Sequence, residues 1–149
     1  MPSVVNLSLL IVEDDRELCR SVARHLTLFG HKVEAAHSVA EALAKTGSYD
    51  CAILDIELPD GLGIDLADEL LDAGAAASVV FFSSVADRAL GQRALRLGAF
   101  VSKSSGVREL AQAVTDAVSR AVREMVAGGE SPRFGSRRRA KSGSRRRSF

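Results

Sequence analysis

The segment CAILDIELPDG, residues 51–61, places four consecutive apolar residues directly before a carboxylate, Asp55, and a turn rich in glycine and proline. The apolar run Cys51–Leu54 is typical of a strand that is buried on both faces, as in a parallel sheet covered by helices. An ionised carboxylate beside such a core is costly unless a cation, a hydrogen-bond donor or open water meets it. Asp55 is therefore either a turn residue that faces solvent or a residue held at a sheet edge for chemistry.

Short apolar runs alternate with segments of helical period on both sides of this strand, which predicts βα units and a parallel sheet. The predicted strands are residues 7–12, 32–36, 51–54, 78–82 and 99–102. The predicted helices are residues 18–29, 38–47, 64–73, 86–97 and 107–125. Right-handed crossovers between parallel strands would place helices on both faces of the sheet, which gives a three-layer (βα)5 fold of the α/β class.

The composition is that of an ordinary globular protein, with 149 residues, of which 46% are hydrophobic and 26% charged. No apolar run reaches the roughly 18 residues of a membrane-spanning helix. The N-terminal segment lacks a basic region and soon turns acidic, which argues against a signal peptide, so we expect a cytoplasmic protein. Cys19 and Cys51 are expected to be buried thiols rather than a disulfide, and the three histidines lack the spacing of a zinc site.

The chain divides into two parts of different composition. Residues 1–127 are predicted to form the folded domain, whereas residues 128–149 are mostly glycine, serine and arginine and are predicted to be disordered. The formal charge is −7 over residues 1–130 and +8 beyond them. The tail has two arginine triplets, Arg137, Arg138, Arg139 and Arg145, Arg146, Arg147. They could bind DNA or RNA phosphates, a protein or anionic lipid, or they could stay solvated.

Polar side chains follow four of the five predicted strands. These are Glu13, Asp14 and Asp15 after the first strand, Asp55 after the third, Ser83 and Ser84 after the fourth, and Lys103 after the fifth. Because the carboxyl ends of parallel strands meet at one edge of a sheet, we expect these groups to share one pocket. Clustered carboxylates repel one another unless a cation intervenes, and their hard oxygen atoms suit Mg²⁺ or Mn²⁺.

This pocket favours phosphoryl chemistry. Asp55 could attack phosphorus and form an aspartyl phosphate, while Lys103 and the Ser83 hydroxyl bind the phosphoryl oxygens. Each residue taken singly has an ordinary alternative. Asp15 could be the N-cap of a helix, Asp55 a turn residue, Ser83 a strand-end hydroxyl with Ser84 as its rival for the role, and Lys103 a surface lysine. The joint placement at the strand ends favours the site.

Four motifs together resemble the receiver domain of bacterial two-component response regulators. They are LLIVEDD (9–15), LDIELPDGLGIDL (54–66), VVFFSS (79–84) and GAFVSK (98–103), and the resemblance covers residues 7–126. It implies a flavodoxin-like fold whose five parallel strands have the order 2-1-3-4-5. The residues that match the family's site are Glu13, Asp14, Asp55, Ser83 and Lys103.

The resemblance also implies roles and partners. Asp55 would accept a phosphoryl group from a sensor histidine kinase, and the main-chain carbonyl of Glu57 would complete the metal site. Ser83 and Phe100 would form a switch that reshapes the face built from the fourth helix, the fifth strand and the fifth helix, where a protein effector could bind. Homodimerisation is left open, and output would come through a partner or the tail because no output domain is encoded.

The sequence departs from the family pattern beside the lysine. Ser104 stands where the family usually has proline, and Gly98 lies two residues closer to Lys103 than is typical, which indicates a shortened segment before the lysine. A competing interpretation is an aspartate-nucleophile phosphatase or phosphotransferase, because Glu57 has the spacing of its acid/base residue. The chain has no cap that would exclude water from a substrate, so we expect no enzyme beyond self-phosphorylation and autodephosphorylation.

Overall fold

A parallel sheet of five strands forms the centre of the protein, whose structure, a computed structural model, describes residues 6–128. In chain order the elements are β1 (Ser8–Val12), α1 (Arg16–Leu28), β2 (Lys32–Ala36), α2 (Val39–Ala44), β3 (Cys51–Leu54), β4 (Glu57–Leu58), β5 (Gly61–Leu62), α3 (Gly63–Asp72), β6 (Val79–Ser83), α4 (Arg88–Leu97), β7 (Ala99–Ser102) and α5 (Val107–Gly128). The strand order is β2-β1-β3-β6-β7. Since β6 and β7 are the fourth and fifth strands of the sheet, the predicted order 2-1-3-4-5 is confirmed.

Two hydrophobic clusters cover the two faces of the sheet, because alternate residues of each strand point in opposite directions. Leu9 and Ile11 of β1 belong to the cluster that includes buried residues of α1 and α5. Leu10 and Val12 belong to the cluster that includes residues of α2, α3 and α4. Both faces are therefore apolar, which explains why the central strands β1, β3 and β6 read as nearly continuous apolar runs rather than alternating ones.

A two-stranded hairpin follows β3, where the sequence predicted only a turn. The strands β4 and β5 pair antiparallel, with Glu57 opposite Leu62 and Leu58 opposite Gly61. Strands of two residues are too short to show an alternating pattern, so periodicity cannot predict them. The hairpin carries the chain from Asp55 to the start of α3, and it therefore borders the predicted site.

The last helix, α5, ends at Gly128, one residue beyond the predicted domain boundary. The predicted disordered tail and its two arginine triplets lie outside the described residues. None of the helices within residues 6–128 is long and apolar enough to cross a membrane.

Both cysteines are buried and free, as the sequence predicted. Burial raises the pKa of the Cys19 thiol to about 11 and that of the Cys51 thiol to about 12. Because the thiolate is the reactive form, both residues act as small apolar core side chains at neutral pH.

His31 makes folding stability depend on pH. The residue is buried, its Nδ1 atom accepts the Leu7 N–H at 3.3 Å, and burial lowers its pKa. The unfolded chain takes up this proton near pH 6.5, whereas the folded chain takes it up only at a lower pH. The stability that neutral, buried His31 contributes is therefore fully present above about pH 6.5. It is lost as the pH falls from there through the pKa of His31 in the folded protein.

We expect His31→Gln, whose amide oxygen can still accept the Leu7 N–H, to weaken the fall in the free energy of unfolding between pH 7.5 and pH 5.5. Urea titrations at the two pH values measure it. The exposed His25, substituted in the same way, controls for the general loss of an imidazole. An unchanged pH dependence in His31→Gln would contradict the assignment.

Candidate functional site

The strand ends hold the backbone of the two buried acids in place. The Glu13 N–H donates to the Ala36 carbonyl oxygen at 3.0 Å, and the Asp55 N–H donates to the Val12 carbonyl oxygen at 3.1 Å. Each acid therefore sits one residue beyond its strand but keeps a hydrogen bond to the neighbouring strand. Their side chains project from the carboxyl edge of a rigid sheet.

The Asp55 carboxylate is buried and receives hydrogen bonds on both oxygen atoms. Ser83 Oγ donates to Oδ1 at 2.6 Å, and Lys103 Nζ donates to Oδ2 at 2.8 Å. The Glu57 N–H also approaches Oδ1, at 3.4 Å. These donors offset the cost of burying the charge, the same cost that the sequence indicates at this position.

The Glu13 carboxylate lies on the other side of the same amine. Lys103 Nζ is 2.9 Å from Glu13 Oε1, and the Asp15 N–H donates to Oε2 at 3.0 Å. Burial raises the pKa of Glu13, and the hydrogen bonds from Lys103 and Asp15 only partly oppose that rise. Asp15 itself accepts the Leu18 N–H at 3.1 Å and is the N-cap of α1. This was the alternative to a site role that the sequence left open for Asp15.

Lys103 bridges the two buried acids and remains charged at neutral pH. Partial burial lowers the pKa of its amine, but the hydrogen bonds that the amine donates to Asp55 and Glu13, together with the charges of these carboxylates, raise it by more, so that its pKa lies above the ordinary value. Asp14 adds a third carboxylate to this edge, where Lys103 supplies one amine, so an excess of negative charge remains. The arrangement attracts a further cation.

The three carboxylates form a group that could hold that cation. One ligand oxygen from each of Glu13, Asp14 and Asp55 lies within 4.8 Å of the others. Glu13 and Asp55 are buried, whereas Asp14 is exposed, so the group opens to solvent on one side. All the donors are hard oxygen atoms, which fits Mg²⁺ or Mn²⁺ rather than a softer metal.

The remaining predicted residues are Ser84, Glu57 and Phe100. Ser84 is exposed, and it is Ser83 whose hydroxyl reaches Asp55. The side chain of Glu57 is exposed, while its backbone N–H faces Asp55. Phe100 is partly buried and packs against the cluster that includes α2, α3 and α4.

Ser104 has a local role that proline could not fill. Its N–H donates to Ser102 Oγ at 3.2 Å, at the start of a short 3₁₀ helix, Lys103–Ser105. Proline has no N–H to donate. The departure from the family pattern therefore replaces the expected proline with a capped turn directly after the lysine.

Gly63 is a site residue that sequence reasoning missed. A Cβ atom built on it would lie 1.9 Å from the Asp55 carbonyl oxygen, and its N–H donates to the Ile56 carbonyl oxygen at 2.6 Å. The start of α3 thus presses against the backbone of Asp55, and only glycine allows this approach. The sequence shows a glycine in a turn, but not which backbone it approaches.

The profile of the response regulator receiver domain matches residues 9–115. The chain belongs to this family. Receiver domains are signalling domains of two-component systems that respond to histidine kinases, and phosphorylation and Mg²⁺ are typical of them. The fold, with its acidic group at the carboxyl edge, agrees with that membership.

The similar curated proteins are regulators. The acid tolerance regulatory protein ActR of Rhizobium meliloti is 35% identical over 94 residues, which cover 62% of this chain and 48% of that protein. The photosynthetic apparatus regulatory protein RegA of Rhodovulum sulfidophilum is 31% identical over 111 residues, which cover 72% of this chain and 61% of that protein. The receiver chain thus spans about half to three fifths of the length of these relatives.

Solved receiver structures share the fold. A CheY-like receiver domain from Methanospirillum hungatei superposes with a TM-score of 0.74 at 24% identity, covering 81% of this chain and 99% of that chain. The response regulator TrrA of Thermotoga maritima, solved in complex with Mg²⁺–BeF, superposes with a TM-score of 0.66 at 26% identity, covering 73% of this chain and 96% of that chain.

Proposed function

We propose that this receiver domain accepts a phosphoryl group on Asp55 from a sensor histidine kinase. The observation that carries the proposal is the convergence on one carboxylate of the Lys103 amine at 2.8 Å and the Ser83 hydroxyl at 2.6 Å. Ser83 ends β6 and Lys103 directly follows β7, and the two donors meet beside the acidic group of Glu13 and Asp14. A plain turn aspartate needs no such set of partners.

Glu13, Asp14, Asp55 and the main-chain carbonyl of Glu57 would hold Mg²⁺, or Mn²⁺ in its place. The ion supplies positive charge that offsets the clustered carboxylates and the incoming phosphoryl oxygens. The similarity to TrrA, which was solved with Mg²⁺–BeF, supports this assignment. The open side of the group at Asp14 would admit both the ion and the phosphoryl donor.

In the reaction, an oxygen of the Asp55 carboxylate attacks the phosphorus of a phosphohistidine. The new P–O bond forms as the P–N bond breaks, and the electron pair leaves with the imidazole, which is then protonated by solvent. Lys103 and Ser83 would transfer their hydrogen bonds from the carboxylate to the phosphoryl oxygens. They thereby stabilise the charge that moves onto those oxygens in the transition state.

Labelling by a small acyl-phosphate donor tests the acceptor function without a known kinase. We expect the mass of the intact protein to rise by one phosphoryl group in the presence of Mg²⁺, and we expect a chelator to prevent the rise. Mass spectrometry before and after incubation measures it. A protein that gains no phosphoryl group under either condition would contradict the proposal.

Phosphorylation would signal through the switch pair of Ser83 and Phe100. The Ser83 hydroxyl would move to donate a hydrogen bond to a phosphoryl oxygen. The partly buried Phe100 would then turn into the space that this movement leaves. The face of α4, β7 and α5 would then change shape for a protein effector or for a second copy of the chain.

The arginine-rich tail supports a second output. We propose that it binds nucleic acid through phosphates, which would make the protein a phosphorylation-controlled nucleic-acid-binding regulator. The arginine triplets carry charge but little aromatic surface, which favours contacts with phosphates over stacking on bases. The relative CusR of Escherichia coli is a transcriptional regulatory protein, which is consistent with that output. Such a role, and phosphorylation by the kinase, would take place in the cytoplasm.

Lys103→Met should separate metal binding from phosphoryl transfer. Loss of the amine removes a competing cation from the carboxylates, so we expect Mn²⁺ to bind roughly tenfold more tightly. It also removes a donor to the transferring phosphoryl group, so we expect labelling to slow by about 100-fold or more. Electron paramagnetic resonance of Mn²⁺ and intact-mass time courses measure the two effects.

Lys32→Met, at an exposed position of β2, is the matched control for the loss of one lysine charge. It should leave the Mn²⁺ affinity and the labelling rate near those of the unsubstituted protein. Weaker Mn²⁺ binding in Lys103→Met, or labelling at the normal rate, would contradict the roles assigned to the amine.

A further inference from the structure

The hairpin of β4 and β5 connects the phosphorylation site to two helices. At its first residue the Glu57 N–H faces Asp55 Oδ1 at 3.4 Å. At its far end the Gly63 N–H donates to the Ile56 carbonyl oxygen at 2.6 Å and closes the loop onto α3. The position of the Glu57 backbone beside the carboxylate therefore depends on how the hairpin is held.

Asp60, at the tip of the hairpin, holds it against a different helix. Its Oδ1 atom accepts the Val39 N–H at 2.8 Å, and its Oδ2 atom accepts the Ala40 N–H at 3.0 Å, both at the start of α2. These two hydrogen bonds lower the pKa of Asp60, so the carboxylate is ionised at neutral pH. Both of its oxygen atoms are thus used in joining the hairpin to α2.

We propose that Asp60 is a positioning residue of the phosphorylation site. By fixing the hairpin tip to α2, it holds the Glu57 N–H and carbonyl in place beside Asp55 and so maintains the affinity for the divalent ion. The inference rests on the proposed function, because it concerns the metal site of the same carboxylate.

Asp60 is not the only residue that caps the N-terminus of α2. Ser38 is its N-cap and accepts the Glu41 N–H at 3.1 Å, and Glu41 in turn accepts the His37 N–H at 2.9 Å. The hairpin, by contrast, has strands of only two residues, and such a ribbon is marginal without support from a neighbouring element. The consequence of losing Asp60 should therefore fall on the hairpin more than on the helix.

Mn²⁺ titrations followed by electron paramagnetic resonance test this role, because they measure the site without phosphoryl transfer. Groups that orient metal ligands typically contribute tenfold or more to affinity, and we expect Asp60→Ala to weaken Mn²⁺ binding by roughly 5- to 10-fold. Asp60→Asn keeps one acceptor oxygen and should show an intermediate loss.

Ser38→Ala is the matched control. It removes the N-cap of the same helix and should weaken α2, but it leaves the two hydrogen bonds between Asp60 and α2 intact. We expect it to bind Mn²⁺ nearly as tightly as the unsubstituted protein does. Thermal unfolding of each variant checks that the fold is retained.

The outcomes separate this inference from the proposed function. Equal affinities in Asp60→Ala and the unsubstituted protein, or equal losses in Asp60→Ala and Ser38→Ala, would overturn the positioning role alone. If the unsubstituted protein binds no Mn²⁺, the metal site and the positioning role are both wrong.

Discussion

We expect Asp55→Asn to abolish phosphoryl labelling by a small acyl-phosphate donor in the presence of Mg²⁺. The amide has nearly the same shape as the carboxylate and keeps one oxygen for the Ser83 hydroxyl, but it is a poor nucleophile for phosphorus. The expected loss is several orders of magnitude and appears in intact-mass time courses as no measurable gain. We expect the fold to persist, since the shape of the side chain is kept and Lys103 can retain its ion pair with Glu13, which is 2.9 Å long in the unsubstituted protein.

Asp68→Asn, on the exposed surface of α3, is the control for the loss of one carboxylate. It should be labelled at the rate of the unsubstituted protein. Labelling of Asp55→Asn at that same rate would place the acceptor elsewhere and would contradict the account of the site.

We expect Gly63→Ala to destabilise the protein and to damage the site at the same time. Its added methyl group would lie 1.9 Å from the Asp55 carbonyl oxygen, so α3 or the backbone of Asp55 must move. Overpacking of this kind typically costs about 1–3 kcal/mol, and backbone on both sides leaves little room to relax. Urea unfolding should show a loss at or above the upper end of that range, and labelling of the folded fraction should slow.

We expect Gly91→Ala to have the opposite effect on the free energy of unfolding. Gly91 lies inside α4, and a Cβ atom built on it meets no atom within 4 Å apart from its chain neighbours and the backbone of its own helix. Alanine is favoured over glycine in a helix by roughly 0.5–1 kcal/mol, so this variant should be more stable. A Gly63→Ala protein that is as stable as the unsubstituted one would show that the close approach of α3 to Asp55 is not a constraint.

The sheet and the principal site could be predicted because their signals are local or topological. Continuous apolar runs predicted strands buried on both faces, and polar residues at their carboxyl ends predicted a shared edge. The structure then brings Lys103 to Asp55, although 48 residues separate them along the chain. The helical periods gave α1 to α5 within a few residues of their observed bounds.

The supports of the site could not be predicted, because they depend on contacts between segments that the sequence does not pair. Asp60 sits between proline and glycine and resembles an ordinary turn residue, yet its carboxylate binds α2. Gly63 resembles any loop glycine until α3 is placed against Asp55. Two-residue strands carry no period, so the hairpin that joins these features was also missed.

The central claim is that Asp55 is the residue that carries the phosphoryl group. Chemical identification of the modified residue tests it most directly, since borohydride reduces an aspartyl phosphate to homoserine, which peptide mass spectrometry can locate. The account predicts homoserine at position 55 after labelling in the presence of Mg²⁺. Homoserine at Asp14 or at another carboxylate, with aspartate intact at position 55, would contradict it.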